Sequence, residues 1–170
     1  MTKRLDEFNA LPHEEAEREL MKCCGSSAWA RKVAAARPFI EMDELLTAAD
    51  RIWWSLDAAD WLEAFSHHPQ IGEKKAERPQ AAEASRWSEE EQSSTRGADA
   101  ETRAALASIN RAYFEKFGYI FIVCATGKST SEMLALCEQR LQNEPDTELR
   151  IAAEEQRRIT HLRLRKLLES

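Results

Sequence analysis

The chain has 170 residues, 43% of them hydrophobic and 32% charged, and a formal net charge of −6. That balance excludes the apolar-poor composition of a disordered segment and is enough for a core that needs no disulfide or metal staples. The acidic charge speaks against a nucleic-acid backbone as principal partner, since neutralising phosphates takes a concentrated basic face.

Punctuation along the chain predicts a succession of helices. Pro12 stands as a first-turn proline for a helix to about Lys22, and Gly25 is placed to stop it. Ser26 or Ser27 can cap a helix from Ala28 to Ala36 that Pro38 ends, and Asp43 can cap one from Glu44 to Ser55. Asp57 opens an amphipathic helix leading to His67. Between Gly72 and Ser85 the polar run Glu73-Lys74-Lys75-Ala76-Glu77-Arg78-Pro79 reads as a solvated loop. Ser88, followed three residues later by Glu91, fits a capping box. Asp99 caps a long helix whose apolar face runs through Leu106, Ile109, Tyr113 and Phe117, with Gly118 at its end.

The next run, Tyr119-Ile120-Phe121-Ile122-Val123-Cys124-Ala125, is β-branched and aromatic, so propensity alone would make it a strand. No second run offers it a partner, and a single strand cannot satisfy its backbone. It is expected to be a buried extended connector or the start of a helix, leaving backbone N–H and C=O groups in the interior for a ligand. Ser129-Thr130-Ser131-Glu132 is a capping-box pattern for a helix to about Leu141. Pro145 separates it from a last helix, Thr147 to Leu168, with Leu149, Ala152, Ala153, Ile159, Leu162 and Leu167 as its core stripe. Neither a repeat nor a linker interrupts this series, so the expected architecture is an all-α, multi-helix bundle forming one domain over residues 1–170.

The cysteines Cys23, Cys24, Cys124 and Cys137 form neither a zinc knuckle nor a Cys-x-x-Cys pair, and adjacent Cys23 and Cys24 are poorly placed for a mutual disulfide. The first residues lack the apolar run of a signal peptide, and no stretch approaches the ~18 apolar residues of a membrane span. Leu167-Leu168-Glu169-Ser170 is not a peroxisomal address. A cytoplasmic location is therefore expected, with no membrane partner.

Two segments can carry chemistry. In Ser66-His67-His68-Pro69-Gln70-Ile71-Gly72 the proline pushes His68 toward extended backbone at a helix exit, and Gly72 permits a further turn. His68 reads either as an exposed turn histidine or as a rigidly held imidazole beside a pocket. In Trp87-Ser88-Glu89-Glu90-Glu91-Gln92-Ser93, Glu91 and Gln92 together offer a carboxylate acceptor and an amide that both donates and accepts, a pair suited to urea or lactam groups. Other motifs fail. Gly127-Lys128-Ser129 would end a phosphate-binding loop only if a glycine stood where Ile122 does. His67 and His68 diverge and no further ligand completes a metal shell. Cys124 lies in the most apolar segment, where a thiol behaves as a small hydrophobe.

Over nearly its full length the chain resembles the 2-oxo-4-hydroxy-4-carboxy-5-ureidoimidazoline (OHCU) decarboxylases. The resemblance is carried by the His68-Pro69 turn, by Ser88 with Glu91-Gln92, and by Asn110-Arg111-Ala112-Tyr113 through Lys116-Phe117-Gly118 to Ala125. Glu148-Leu149-Arg150-Ile151-Ala152-Ala153-Glu154-Glu155 and Ile159-Thr160-His161-Leu162-Arg163 fit its final helix. It implies an all-helical lyase without cofactor or metal, usually a homodimer, that removes CO₂ from the small molecule OHCU and yields (S)-allantoin. It further implies His68 as proton donor, Glu91 as its catalytic companion, and substrate contacts at Pro69, Ser88, Glu89, Glu90, Glu91, Gln92, Phe121, Ile122, Val123, Cys124, Ala125 and Arg163. The extra His67 is a local departure.

This assignment makes chemical sense. Loss of CO₂ leaves electron density on carbon, which needs a conjugated sink, a wall that does not over-stabilise the starting carboxylate, and a proton at the end. Phe121-Ile122-Val123 can supply the wall and His68 the proton. A helical adaptor, in which the pocket is a peptide groove, and a metal-dependent hydrolase are the competing readings.

Overall fold

The computed structural model describes residues 3–71, 82–93 and 99–169; the expected turn at Gly72 and the loop Glu73 to Pro79 lie outside them. The described residues form nine α-helices and no strand: α1 Lys3–Ala10, α2 His13–Cys23, α3 Ser27–Ala35, α4 Met42–Ser55, α5 Ala58–Ser66, α6 Ala82–Glu91, α7 Ala100–Phe117, α8 Thr130–Arg140 and α9 Pro145–Leu168. The all-α expectation holds.

The boundaries follow local chemistry. Ser26 caps α3, its hydroxyl accepting from Trp29 N–H at 3.3 Å, and Asp57 receives Asp60 N–H at 3.1 Å at the start of α5. Asp99 takes Thr102 N–H at 2.7 Å and Ser129 takes Glu132 N–H at 3.1 Å, each covering a donor that the first helical turn leaves without a partner. Gly118 closes α7 at φ 82°, a left-handed conformation that costs glycine little.

Three boundaries and one whole helix depart from expectation. Pro12 is the residue flanking α2, at φ −53° and ψ 150°, and not its first turn. Asp43 does not cap α4; the extended residue is Glu41, and Glu44 reaches back to accept Ile40 N–H at 2.7 Å, so Asp43 sits within the first turn. Pro145 opens α9 instead of preceding it, because a first-turn N–H has no intrahelical acceptor for proline to forfeit. Helix α1 was not anticipated: eight residues with two inward side chains, Leu5 and Phe8, are too few for a period to show.

By contacts the chain divides into two compact units, Met1–Ala64 with Arg157–Ser170, and Phe65–Gln156. In the first, Trp29, Leu5, Leu20, Leu45, Val33 and Leu164 are buried. Indole donors are satisfied by carbonyls, Trp29 Nε1 on Ala49 O at 3.1 Å and Trp61 Nε1 on Trp53 O at 3.0 Å. The Glu63 carboxylate accepts Ser27 N–H at 2.7 Å and thus adds a second, charged cap to α3. Asp50 receives His161 Nε2 at 2.6 Å and Arg157 at 3.3 Å, tying α4 to the last part of α9.

The second unit is built on α7, α8 and an aromatic cluster. Tyr113 packs on Phe117, Tyr119 and Phe121 with ring centroids 4.6, 5.9 and 5.4 Å away, and Phe65 meets Tyr119 at 5.3 Å. Residues 119–125 form a buried, non-helical connector between α7 and α8. Of the two conformations open to this run, the connector is the one found. Its β-branched and aromatic side chains face neighbours in the core, and side chains take over the role a partner strand would have had.

Candidate active site

His68 lies two residues past the end of α5. Its N–H caps Phe65 O at 3.1 Å, Pro69 behind it is buried, and the half-buried imidazole places Nε2 2.6 Å from Oε1 of Gln156. Gln156 is 0% exposed, on the part of α9 that belongs to the second unit. A carboxamide oxygen only accepts, so Nε2 carries a proton in this arrangement. The imidazole is thus half-buried and hydrogen-bonded, not an exposed turn side chain. Gln156 was not singled out in the sequence, where one glutamine in a charged helix carries no mark.

Glu91 closes α6. Ala84, Trp87, Ser88 and Glu91 recur at helical spacing and are buried, whereas Glu89 and Glu90 are exposed. The capping box expected at Ser88 is absent: Ser88 is inside the helix and its hydroxyl donates to Ala84 O at 3.1 Å. The Ser-x-x-Glu spacing thus places both side chains on one inward face. Gln92, half-buried, continues the turn through its N–H on Ser88 O at 3.1 Å.

The connector is held from two sides. Arg140, 6% exposed, donates Nη1 to Ile122 O at 2.7 Å and lies over the Phe121 ring at 4.5 Å. Its charge is met by fully buried Glu148, whose Oε1 receives Arg140 Nε at 2.7 Å and Tyr113 O–H at 2.5 Å, while Oε2 receives Asn143 Nδ2 at 3.0 Å. Lys128 donates Nζ to Cys124 O at 2.7 Å, and its own N–H goes to Ala125 O at 3.0 Å. The carbonyls of Ile122, Cys124 and Ala125 thus each accept a hydrogen bond within the fold. Among the described residues the N–H groups of Val123 and Ala125 meet no acceptor.

Burial pushes the Cys124 thiol up, Lys128 opposes the shift, and the charges of Glu155 and Glu91 add to it. Burial, and then the bond to Glu148, raises the Tyr113 hydroxyl far above its ordinary range, so it stays a donor. The last of the expected positions, Arg163, belongs to the other unit, where it is buried and donates to Lys22 O at 3.3 Å. Among the described residues no group of three His, Cys, Asp or Glu side chains could hold a metal ion.

A family model described as OHCU decarboxylase matches residues 9–165. The uric acid degradation bifunctional protein TTL of Arabidopsis thaliana is 41% identical over 155 residues, which are 91% of this chain and 48% of that protein. The chain thus spans about half the length of that bifunctional relative. The 2-oxo-4-hydroxy-4-carboxy-5-ureidoimidazoline decarboxylase of Haloferax volcanii is 31% identical over 139 residues, 81% of this chain and 80% of that one. A crystal structure of OHCU decarboxylase in the presence of (S)-allantoin superposes with a TM-score of 0.78 at 38% identity, covering 90% of this chain and 99% of that chain.

Proposed function

The chain belongs to the OHCU decarboxylase family, a family of carboxy-lyases, and we propose that it converts OHCU to (S)-allantoin in urate degradation with His68 as the proton donor. The observation that carries the reading is the His68 imidazole, held by a fully buried glutamine in the unit that also contains Glu91 and the connector. The proposal includes one functional domain, since the family match runs through both units, and a cytoplasmic homodimer that needs no cofactor.

In this reading the carboxylate of OHCU leaves as CO₂ and its electron pair passes into the conjugated ring. Phe121, Ile122 and Val123 supply apolar surface that stabilises the spread-out charge of the transition state better than a localised carboxylate. Amide donors of the connector and the Glu91–Gln92 pair orient the ring and ureido groups. Proton delivery by His68 to one face of the carbon fixes the chirality of the product. Pro69, in the same unit as His68, completes the proposed substrate contacts.

Freshly prepared OHCU mixed with the protein should yield optically active allantoin, followed by circular dichroism. Racemic product at the uncatalysed rate would sink the proposal and favour a non-catalytic helical module. Turnover should persist after exhaustive chelation; its loss, restored by one divalent ion, would instead support the metal-dependent hydrolase.

The three consecutive glutamates provide a register test. Glu91 points inward at 8% exposure while Glu89 and Glu90 face solvent. Glu91→Gln keeps shape and removes a charged acceptor, so kcat/KM should fall by about 10- to 150-fold, or about 1.5–3 kcal/mol. Glu89→Gln and Glu90→Gln should stay within about twofold of wild type. A larger loss at either would move the carboxylate out of the position assigned to it.

A further inference from the structure

Lys128 and Arg140 hold alternate carbonyls of one short connector, and the consequence lies on the other side of the same peptide groups. Ile122 C=O and Val123 N–H belong to one planar unit, as do Cys124 C=O and Ala125 N–H, and both units are trans. In a trans peptide the C=O and N–H bonds point in opposite directions, and their dipoles reinforce each other. Arg140 on Ile122 O therefore aims Val123 N–H away from the guanidinium, and Lys128 on Cys124 O aims Ala125 N–H away from the ammonium. Val123 and Ala125 are 7% and 4% exposed, and among the described residues neither N–H meets an acceptor. A buried amide donor left so is costly unless something completes it.

A cation on the carbonyl oxygen also draws electron density through the amide, which makes the N–H at its far end a stronger donor. Gly127, at φ 78°, lets the chain double back so that the Lys128 side chain reaches a carbonyl four residues earlier. The Gly127-Lys128-Ser129 motif thus holds a peptide carbonyl, where a phosphate loop would hold a phosphate.

We propose that Lys128 and Arg140 are positioning residues which orient and polarise the Val123 and Ala125 N–H groups as a paired donor site for the acceptor oxygens of the substrate's ring and ureido carbonyls. This rests on the decarboxylase reading and deepens it. As CO₂ departs, density moves toward a ring carbonyl oxygen, and a polarised donor stabilises that oxygen more in the transition state than in bound substrate.

Lys128 is the residue to change, because Arg140 neutralises buried Glu148 and its removal endangers the fold. Lys128→Met should lower kcat about tenfold and change KM less than about threefold, with Lys128→Arg recovering most of the loss. In ¹H–¹⁵N spectra the Ala125 amide proton should move upfield in Lys128→Met while resonances distant from the connector stay in place, and (S)-allantoin should shift the Val123 and Ala125 amides of wild type downfield. Arg140→Lys, which keeps the charge and loses the fork, should move Val123 in the same upfield sense. Wild type that consumes OHCU, beside a Lys128→Met variant with unchanged kcat and an unmoved Ala125 amide, would overturn the positioning role alone. Wild type that neither consumes OHCU nor responds to (S)-allantoin would overturn the decarboxylase reading beneath it.

Discussion

His68→Asn is expected to leave a folded protein that gives allantoin without enantiomeric excess and at a rate lowered by about 10²- to 10⁴-fold, the usual contribution of a positioned acid. Asparagine keeps a polar group of similar reach to the ring and can still meet Gln156, so the helix exit and its Phe65 cap should persist. What it cannot supply is a proton near neutral pH, and protonation then comes from solvent on either face. His67→Asn should change little. The measurement is optical rotation against time, with thermal unfolding verified equal among the three proteins. Chiral product at the normal rate from His68→Asn would remove this residue from the chemistry.

Glu148→Ala should lower stability by about 3–5 kcal/mol, the range for stripping one partner from a buried ion pair. The cost arises from what is left behind: Arg140 at 6% exposure without a counter-charge, and Tyr113 O–H and Asn143 Nδ2 without acceptors. The double variant Arg140→Met with Glu148→Leu should recover much of that loss, since it leaves no uncompensated charge. Urea denaturation at equal slope provides the test. A decrease below about 1 kcal/mol for Glu148→Ala would show that the network does not hold the connector in place.

Most helix ends were legible in the residues because a cap is a local event. Ser26, Asp57, Asp99 and Ser129 each accept an N–H three residues on, and Gly118 takes the left-handed turn, each within a short stretch of chain. Periodicity found the inward face of α7 in part: Leu106 and Tyr113 are buried, but so is Asn110, a polar residue the apolar stripe passed over. The same limit applies on α9, where Ala152, Ala153 and Ile159 are buried as expected together with Glu148, Gln156, Thr160 and Arg163. A stripe counted in apolar residues cannot see polar ones that are buried with partners.

The His68-Pro69 turn and the Glu91-Gln92 pair were also visible without coordinates, since proline restricts its predecessor whatever the surroundings and a three-residue spacing always repeats a helix face. The meaning of that spacing was not. Ser-x-x-Glu reads the same at a helix start as within one, and the tertiary structure placed it inside α6 with Ser88 and Glu91 turned to the core. Only folding could bring Gln156 to the imidazole across 88 residues of chain, or Glu148 and Arg140 to the connector from α9 and α8. Sequence by itself determined most of the helices, four of their side-chain caps and the residue types capable of the chemistry, because those depend on neighbours a few positions away. Tertiary structure alone decided which of the connector's backbone groups are hydrogen-bonded within the fold and which remain as donors, because a hydrogen bond over long sequence separation is set by packing and leaves no pattern in the order of residues.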